Sequence, residues 1–524
     1  MKRITAKILL LAFCLLANNR IQAQTLDEAI QFIKYERYES AKSILTPLSA
    51  TDAKANYYLG LCELAKENLA GAKTIFQKYP EDVANNAGLA RVMILENKTP
   101  DAMTLLTKVA GKVKKKDWLP FKYAADALTY TEGGDPNKAI EWYKLANEVM
   151  LNGDNYIGMG DAYRKMQGGG GNAMTNYEYA ETYPTTQSIA NTKMGNLWYA
   201  AKNYDSALAK YARASALDAK NPLPYKALAD AYYKINKFKI SKENIEKYLE
   251  LSDKTIDDQI QYANTLYLAK DYAGAIQKMN ELIGKGTEKP YMYRVLGFSQ
   301  FETKDFGNAL INMNKLFAKQ DPAKIIPLDY IYFGKLLSKD STKTNEAAAA
   351  FAKGIQVDTA TDKSATMRGI AETYYDLLSY ANAAMWYQKI IDTGKPLFED
   401  FWWCGVMNYY AKNYQQADAT FAALAIKYPE EPSCIFWRAR IAAADKDAEN
   451  KTGAASDLFK QWITMIKEDP AKKKDLTKAY TYLAIVSFNT GKKEDAKLYC
   501  DKLVAFDKDD ATAKQILGLL PSLK

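Results

Sequence analysis

The fold turns on the stretch NLWYAAKNYDSALAKYARASALDAKNP, residues Asn196 to Pro222. Alone it reads as an ordinary amphipathic helix pair. Thirty-four residues later the chain reads DAYYKINKFKISKENIEKYLELSD from Asp230, and 34 beyond that NTLYLAKDYAGAIQKMNELIGKG from Asn264. A small residue opens the second helix each time: Ala139, Ala173, Ala207, Ser241, Ala275 and Ala309 follow one another at intervals of 34. The register continues through Ala347, Ala383, Ala417, Ala455 and Ala496 with steps of 38, 36, 34, 38 and 41, and backward through Ala102, Ala72 and Ala41. About fourteen units thus cover almost the whole chain. One such hairpin cannot bury its apolar face alone, so stability has to come from stacking on its neighbours.

The details of the register resemble the tetratricopeptide repeat family. That signature runs Leu-Gly, a Tyr, then Ala, an aromatic four later and a terminal Pro, on a 34-residue period. Here Met194-Gly195 stands for Leu-Gly and Trp198 for the Tyr; Tyr204 marks the turn, Ala207 and Tyr211 form the second-helix pair, Ala214 makes the second close contact, and Pro222 is the stop. Leu59-Gly60 with Ala72 and Phe76, Leu296-Gly297 with Phe306 and Ala309, and Gly405, Tyr414, Ala417, Phe421 and Pro429 repeat the pattern. The resemblance implies an all-α fold: a right-handed solenoid of about fourteen helix-turn-helix repeats over residues 24–508, forming a superhelix, with DDATAKQILGLLPSLK at 509–524 as a capping helix.

The first residues, MKRITAKILLLAFCLLANNRIQAQ, have the form of a secretory signal peptide. Lys2, Arg3 and Lys7 precede an apolar run from Ile8 to Ala17, and cleavage is expected after Ala23, leaving an exported, periplasmic chain. Cys14 lies inside that run with Phe13 before it, so a lipoprotein is not indicated. Removal of residues 1–23 takes the net charge from +9 to +5, because four basic and no acidic side chains leave with them. That charge does not suggest nucleic acid as a partner, and KVKKK (Lys112–Lys116) and KKK (Lys472–Lys474) read as solvated helix ends. No later stretch has the length and apolarity of a membrane helix, so contact with a membrane complex would be peripheral.

The chain has no histidine, which removes the commonest general base and the commonest transition-metal ligand. Cys62, Cys404, Cys434 and Cys500 contain no CxxC pair and read as buried thiols. Breaks in the period are the natural places for a specific site: Gly168–Gly171, TEGGDPNK at Thr131–Lys138 and DKDAENKTG at Asp445–Gly453. The four glycines follow no strand and lack a following Gly-Lys-Ser/Thr, so they read as a turn and not as a phosphate loop. The repeat leaves no stretch for a catalytic fold, and no enzyme activity, metal or cofactor is expected.

In the family, first helices line the concave surface, which places two ladders there by resemblance. One is Asp161, Asn196, Asp230 and Asn264; one turn later come Arg164, Tyr199, Tyr233 and Tyr267, then Phe301, Tyr375 and Tyr409. Lys226, Arg294 and Arg368 stand one turn before the crossing. Amide and carboxylate groups beside tyrosines suit an extended peptide or a partner helix. In the aromatic window FEDFWWCGVMNYY, Phe398–Tyr410, Trp402 is expected to face the groove and Trp403 the neighbouring repeat. The family's clamp for a terminal carboxylate, a Lys/Asn/Asn/Lys/Arg set over three repeats, is not found in register. The expected function is a periplasmic scaffold or adaptor binding protein partners of a cell-envelope machine; the alternative is a carbohydrate- or peptide-binding nutrient-uptake module.

Overall fold

The computed structural model describes residues 25–112 and 116–522. The proposed leader and most of the lysine run at 112–116 lie outside them. Among the described residues there are twenty-nine α-helices and no strand: fourteen consecutive pairs, from Leu26–Lys34 with Tyr38–Leu48 to Lys473–Asn489 with Lys493–Phe506, and a last helix Ala511–Leu519. They divide into two compact units, Met1–Val295 and Leu296–Lys524.

The period has a steric cause. Every small residue of the fourteen-member series is 0–2% exposed, because it lies where the second helix crosses its partner. Four residues on, one turn away on the same face, a large side chain fills the space between hairpins: Phe76, Leu106, Tyr143, Tyr177, Tyr211, Phe351 and Phe421 are all buried to 2% exposure or less. The first helix makes room with a glycine. A Cβ on Gly405 would stand 2.6 Å from the Phe421 ring, and one on Gly195 would run into Tyr211. Close backbone approach and a buried ring are thus a single packing decision.

The link between paired helices is equally regular. Glu36, Glu67, Asn97, Lys202, Asn236, Lys270, Lys304, Leu378 and Lys412 all adopt left-handed backbone with φ between 57° and 65°. The next residue often caps the second helix: Asn203 accepts from the Ser206 amide at 3.1 Å, and Asp271 from the Gly274 amide at 3.1 Å. In the fifth pair Gly168 takes the left-handed place with φ 73°, and Gly170 starts the second helix, Gly170–Glu181. The four glycines are therefore a helix-to-helix turn.

Burial clusters run along the repeats. In the first unit one cluster extends from Tyr57 to Ala162. In the second, one spans Ile331 to Ile441 and another Ile435 to Ile516. The helix Ala511–Leu519 contributes Ala513 and Ile516 to the latter. The four cysteines among the described residues are free thiols at 0% exposure. Burial raises their pKa, to about 12 for Cys62 and about 11 for the other three, which makes them packing residues with little thiolate. No helix among the described residues is long and apolar enough to cross a membrane.

Candidate functional site

Asp161 and Asn196 of the first ladder are each held by a tyrosine from the second helix of their own pair. Tyr177 donates to Asp161 Oδ1 at 2.7 Å, Tyr130 donates to Oδ2 at 2.9 Å, and Lys193 of the following pair reaches the same carboxylate at 2.8 Å. Asp161 is 9% exposed and is a junction of neighbouring repeats. Asn196 repeats the motif, accepting from Tyr211 at 2.8 Å. One pair before Asp161, Tyr143 donates to Asp126 at 2.6 Å. Asp126 belongs to this ladder and was missed. The signal was present, because a tyrosine in place of phenylalanine at a fully buried position requires an acceptor nearby.

Further along, the second helix no longer carries a tyrosine at that place but Ile245 and Met279, and the ladder becomes more open. Asp230 is half-buried and accepts from Gln261 at 2.5 Å. Burial raises its pKa, with Gln261 and Lys226 pulling the other way. Asn264 is half-buried.

The aromatic ladder braces the turns. Tyr199 packs on Tyr204 with centroids 5.5 Å apart, Tyr233 on Phe238 at 5.6 Å, and Tyr267 on Tyr272 at 5.9 Å. In the second unit Phe301 meets Phe306 at 5.4 Å, Tyr375 meets Tyr380 at 6.4 Å, and Tyr409 meets Tyr414 at 5.8 Å. Each ring touches the first aromatic of its own second helix, leaving Tyr233 and Tyr375 each 42% exposed. Arg164 is exposed and Arg294 half-buried.

The cations one turn before the crossing join successive repeats. Lys226 pairs with Asp258 at 2.8 Å, and Tyr248 donates to the other oxygen of that carboxylate at 2.9 Å. In the second unit Arg368 forms a two-pronged pair with Asp400, at 2.6 and 2.7 Å. Asp400 is wholly buried and also accepts from the Leu397 amide at 2.8 Å. Arg368→Met should therefore strand a buried carboxylate and lower stability by about 2 kcal/mol, read from the shift in a urea melt.

Trp402 and Trp403 exchange their expected places. Trp402 packs against Phe421 at 5.6 Å and Trp437 at 6.1 Å, half-buried against the apolar cluster. Trp403 is 38% exposed and lies 5.8 Å from Tyr375, a ladder ring. The cause is helical phase: position 402 shares a face with Gly405, where the next helix closes in. Beyond them, Arg440 sits 4.1 Å over Trp437 and 5.0 Å over Tyr409, an arginine–aromatic stack.

In the first unit the ladders meet in a cavity of about 340 Å³. Asn196, Tyr199, Lys226 and Asp230 line it, and Lys34 and Glu36 of the first hairpin complete its wall. It offers amide, carboxylate, ammonium and phenol groups beside the apolar side chains of Ile189, Leu223 and Ala227. Among the described residues no group of acidic or cysteine side chains could hold a metal ion.

No family model and no curated protein matches the chain. Among solved structures it is similar to the C-terminal part of a TPR repeat-containing protein from Cytophaga hutchinsonii, at 25% identity over 49% of this chain and 99% of that one, with a TM-score of 0.42. A tetratricopeptide repeat protein from Parabacteroides merdae matches at 18% identity over 48% and 98%, TM-score 0.31. The Cut9–Hcn1 hetero-tetramer of the APC/C matches at 15% identity over 94% and 95%, TM-score 0.30.

Proposed function

We infer that this array of tetratricopeptide repeats is a non-catalytic scaffold that holds partner proteins on the first-helix face of its repeats. The observation that carries the reading is the open part of the ladders. Lys226, Asp230, Tyr199 and Tyr233 bring charge, hydrogen-bonding capacity and half-exposed rings to one face on successive repeats, around a ready-made cavity. Such a surface binds by distributed contacts: polar groups satisfy a peptide backbone and tyrosines add contact area with few rotors to freeze. A stack of hairpins also presents a series of similar surfaces without any chemical step.

The leader-like start supports a finer reading, an exported protein serving a periplasmic cell-envelope machine: outer-membrane assembly, secretion, motility or TonB-linked uptake. The partners in this reading are envelope proteins.

The triple variant Tyr199→Ala, Tyr233→Ala, Tyr267→Ala tests the surface. In-cell crosslinking followed by affinity isolation and mass spectrometry should recover one or two stoichiometric proteins with the wild type and at least tenfold less with the variant, while far-UV circular dichroism stays near wild type. Undiminished recovery would contradict the reading. So would collapse of helicity, which would make the rings purely structural.

A further inference from the structure

The first hairpin, Leu26–Lys34 and Tyr38–Leu48, touches residues far along the first unit as well as its neighbour in the stack. Lys34 pairs with Asp154 at 3.0 Å, across 120 positions. The Tyr35 hydroxyl donates to Asp218, across 183 positions. Asp253, 214 positions beyond Glu39, accepts from the Glu39 amide at 2.8 Å and from the Ser40 hydroxyl at 2.5 Å, with Arg37 at 3.6 Å. Those contacts replace a missing cap. The N-cap position of helix Tyr38–Leu48 is Arg37, which supplies no side-chain acceptor, and the carboxylate of Asp253 serves the free amides of that helix end.

Two features set these contacts apart from repeat stacking. They are ion pairs and hydrogen bonds: three aspartates from the fifth, sixth and seventh pairs receive the turn at Lys34, Tyr35 and Arg37, and Ser40 beyond it. The hairpin's apolar burial lies elsewhere, with Ala29, Ala41, Ile44 and Leu45 packed on Ala55, Leu59 and Cys62 of the second pair. Lifting the turn away therefore breaks ion pairs and hydrogen bonds and uncovers the buried Tyr35 ring, while the hairpin's apolar cluster with the second pair stays intact. The second feature is position. Lys34 and Glu36 wall the cavity that contains Asn196, Tyr199, Lys226 and Asp230.

We propose that the first hairpin is a releasable clasp, seated on Asp154, Asp218 and Asp253, which covers one end of the partner-binding face until a partner displaces it. This deepens the scaffold reading and rests on it for the identity of the covered surface. A closed clasp makes the free protein weak at binding and couples docking to opening of the first turn of the array. The Lys34–Asp154 pair, partly exposed on both sides, suits that role, since salt and competing charge weaken it readily.

Spin labels at Glu28→Cys and Lys220→Cys, both exposed positions in the full chain, read the clasp directly by electron–electron distance. The expected result is one short, narrow distance distribution at low salt, replaced by a longer and broader one in the Asp154→Lys, Asp253→Lys background. Hydrogen-exchange protection of 53–77 should persist in that background. A photo-crosslinker at position 199 should then capture partner several-fold more efficiently. An unchanged distance distribution would overturn the clasp whatever the groove does. Loss of protection through 26–77 would also overturn it, by showing that the three aspartates hold the fold. An opened clasp without a rise in crosslinking would overturn its gating role, and the triple-tyrosine variant separately decides whether the face binds at all. The milder Asp253→Asn should shift only part of the distribution.

Discussion

Phe421→Ala is expected to lower the stability of the second unit by about 4 kcal/mol, within the range for emptying a fully buried aromatic site. Phe421 is 0% exposed. Its ring lies parallel to Trp437, 5° between planes and 5.6 Å between centroids, and edge-on to Trp402 at 5.6 Å. It also fills the space left by Gly405. Because the pair that holds Phe421 packs on the pairs before and after it, the loss should be local. Hydrogen exchange should quicken in helices Phe398–Tyr410, Tyr414–Lys427 and Pro432–Lys446 before the rest of the unit responds. A double-mutant cycle checks the mechanism. Gly405→Ala should cost about 2 kcal/mol in the wild type by crowding the ring, and close to nothing once Phe421 is alanine. Additive losses would refute the idea that glycine and ring form one packing unit.

Asp447→Ala is expected to cost about 3 kcal/mol, the effect of removing a buried charged acceptor from four donors. The carboxylate accepts from the amides of Lys451, Thr452 and Gly453 at 2.6, 2.7 and 2.8 Å and from the Tyr482 hydroxyl at 2.5 Å. It thereby fixes the long link between helices Pro432–Lys446 and Ser456–Ile466 onto the last pair. Burial opposes the charged form, but the amides and the phenol outweigh it and hold the pKa down at about 2. The sign follows from linkage. A depressed carboxylate contributes stability in full above its unfolded pKa and loses it as pH falls through its folded one, so this anchor weakens between about pH 4 and pH 2. Asp447→Ala should flatten the acid limb of the unfolding curve over that window as well as lower the plateau. An unaltered acid limb would mean that another group governs it.

The array itself was legible from a single sequence because its cause is local. A small residue recurs wherever two hairpins stack, followed four positions later by a buried apolar side chain or ring, and that rhythm persists over fourteen pairs. The ladders were legible as positions but not as chemistry. Asp161 looked like an open polar group, yet its partners Tyr130, Tyr177 and Lys193 come from three different helices, and only their convergence shows that the carboxylate is engaged. Trp402 and Trp403 differ by one residue, about 100° of helix; a small error of phase interchanged core and surface. The clasp could not be read at all. A period describes contacts between neighbours, whereas Lys34 and Asp154 meet because curvature accumulated over several repeats brings distant pairs together.

The central claim is that partners dock on the first-helix face, and site-specific photo-crosslinking in cells tests it most directly. The reactive residue would replace Tyr233, 42% exposed on a first helix, and in a separate chain Tyr179, 54% exposed on a second helix. The account predicts a discrete crosslinked protein at position 233, diminished by Tyr199→Ala and Tyr267→Ala, and none at 179. Efficient capture at 179 with nothing at 233 would place the interface on the second helices and contradict it.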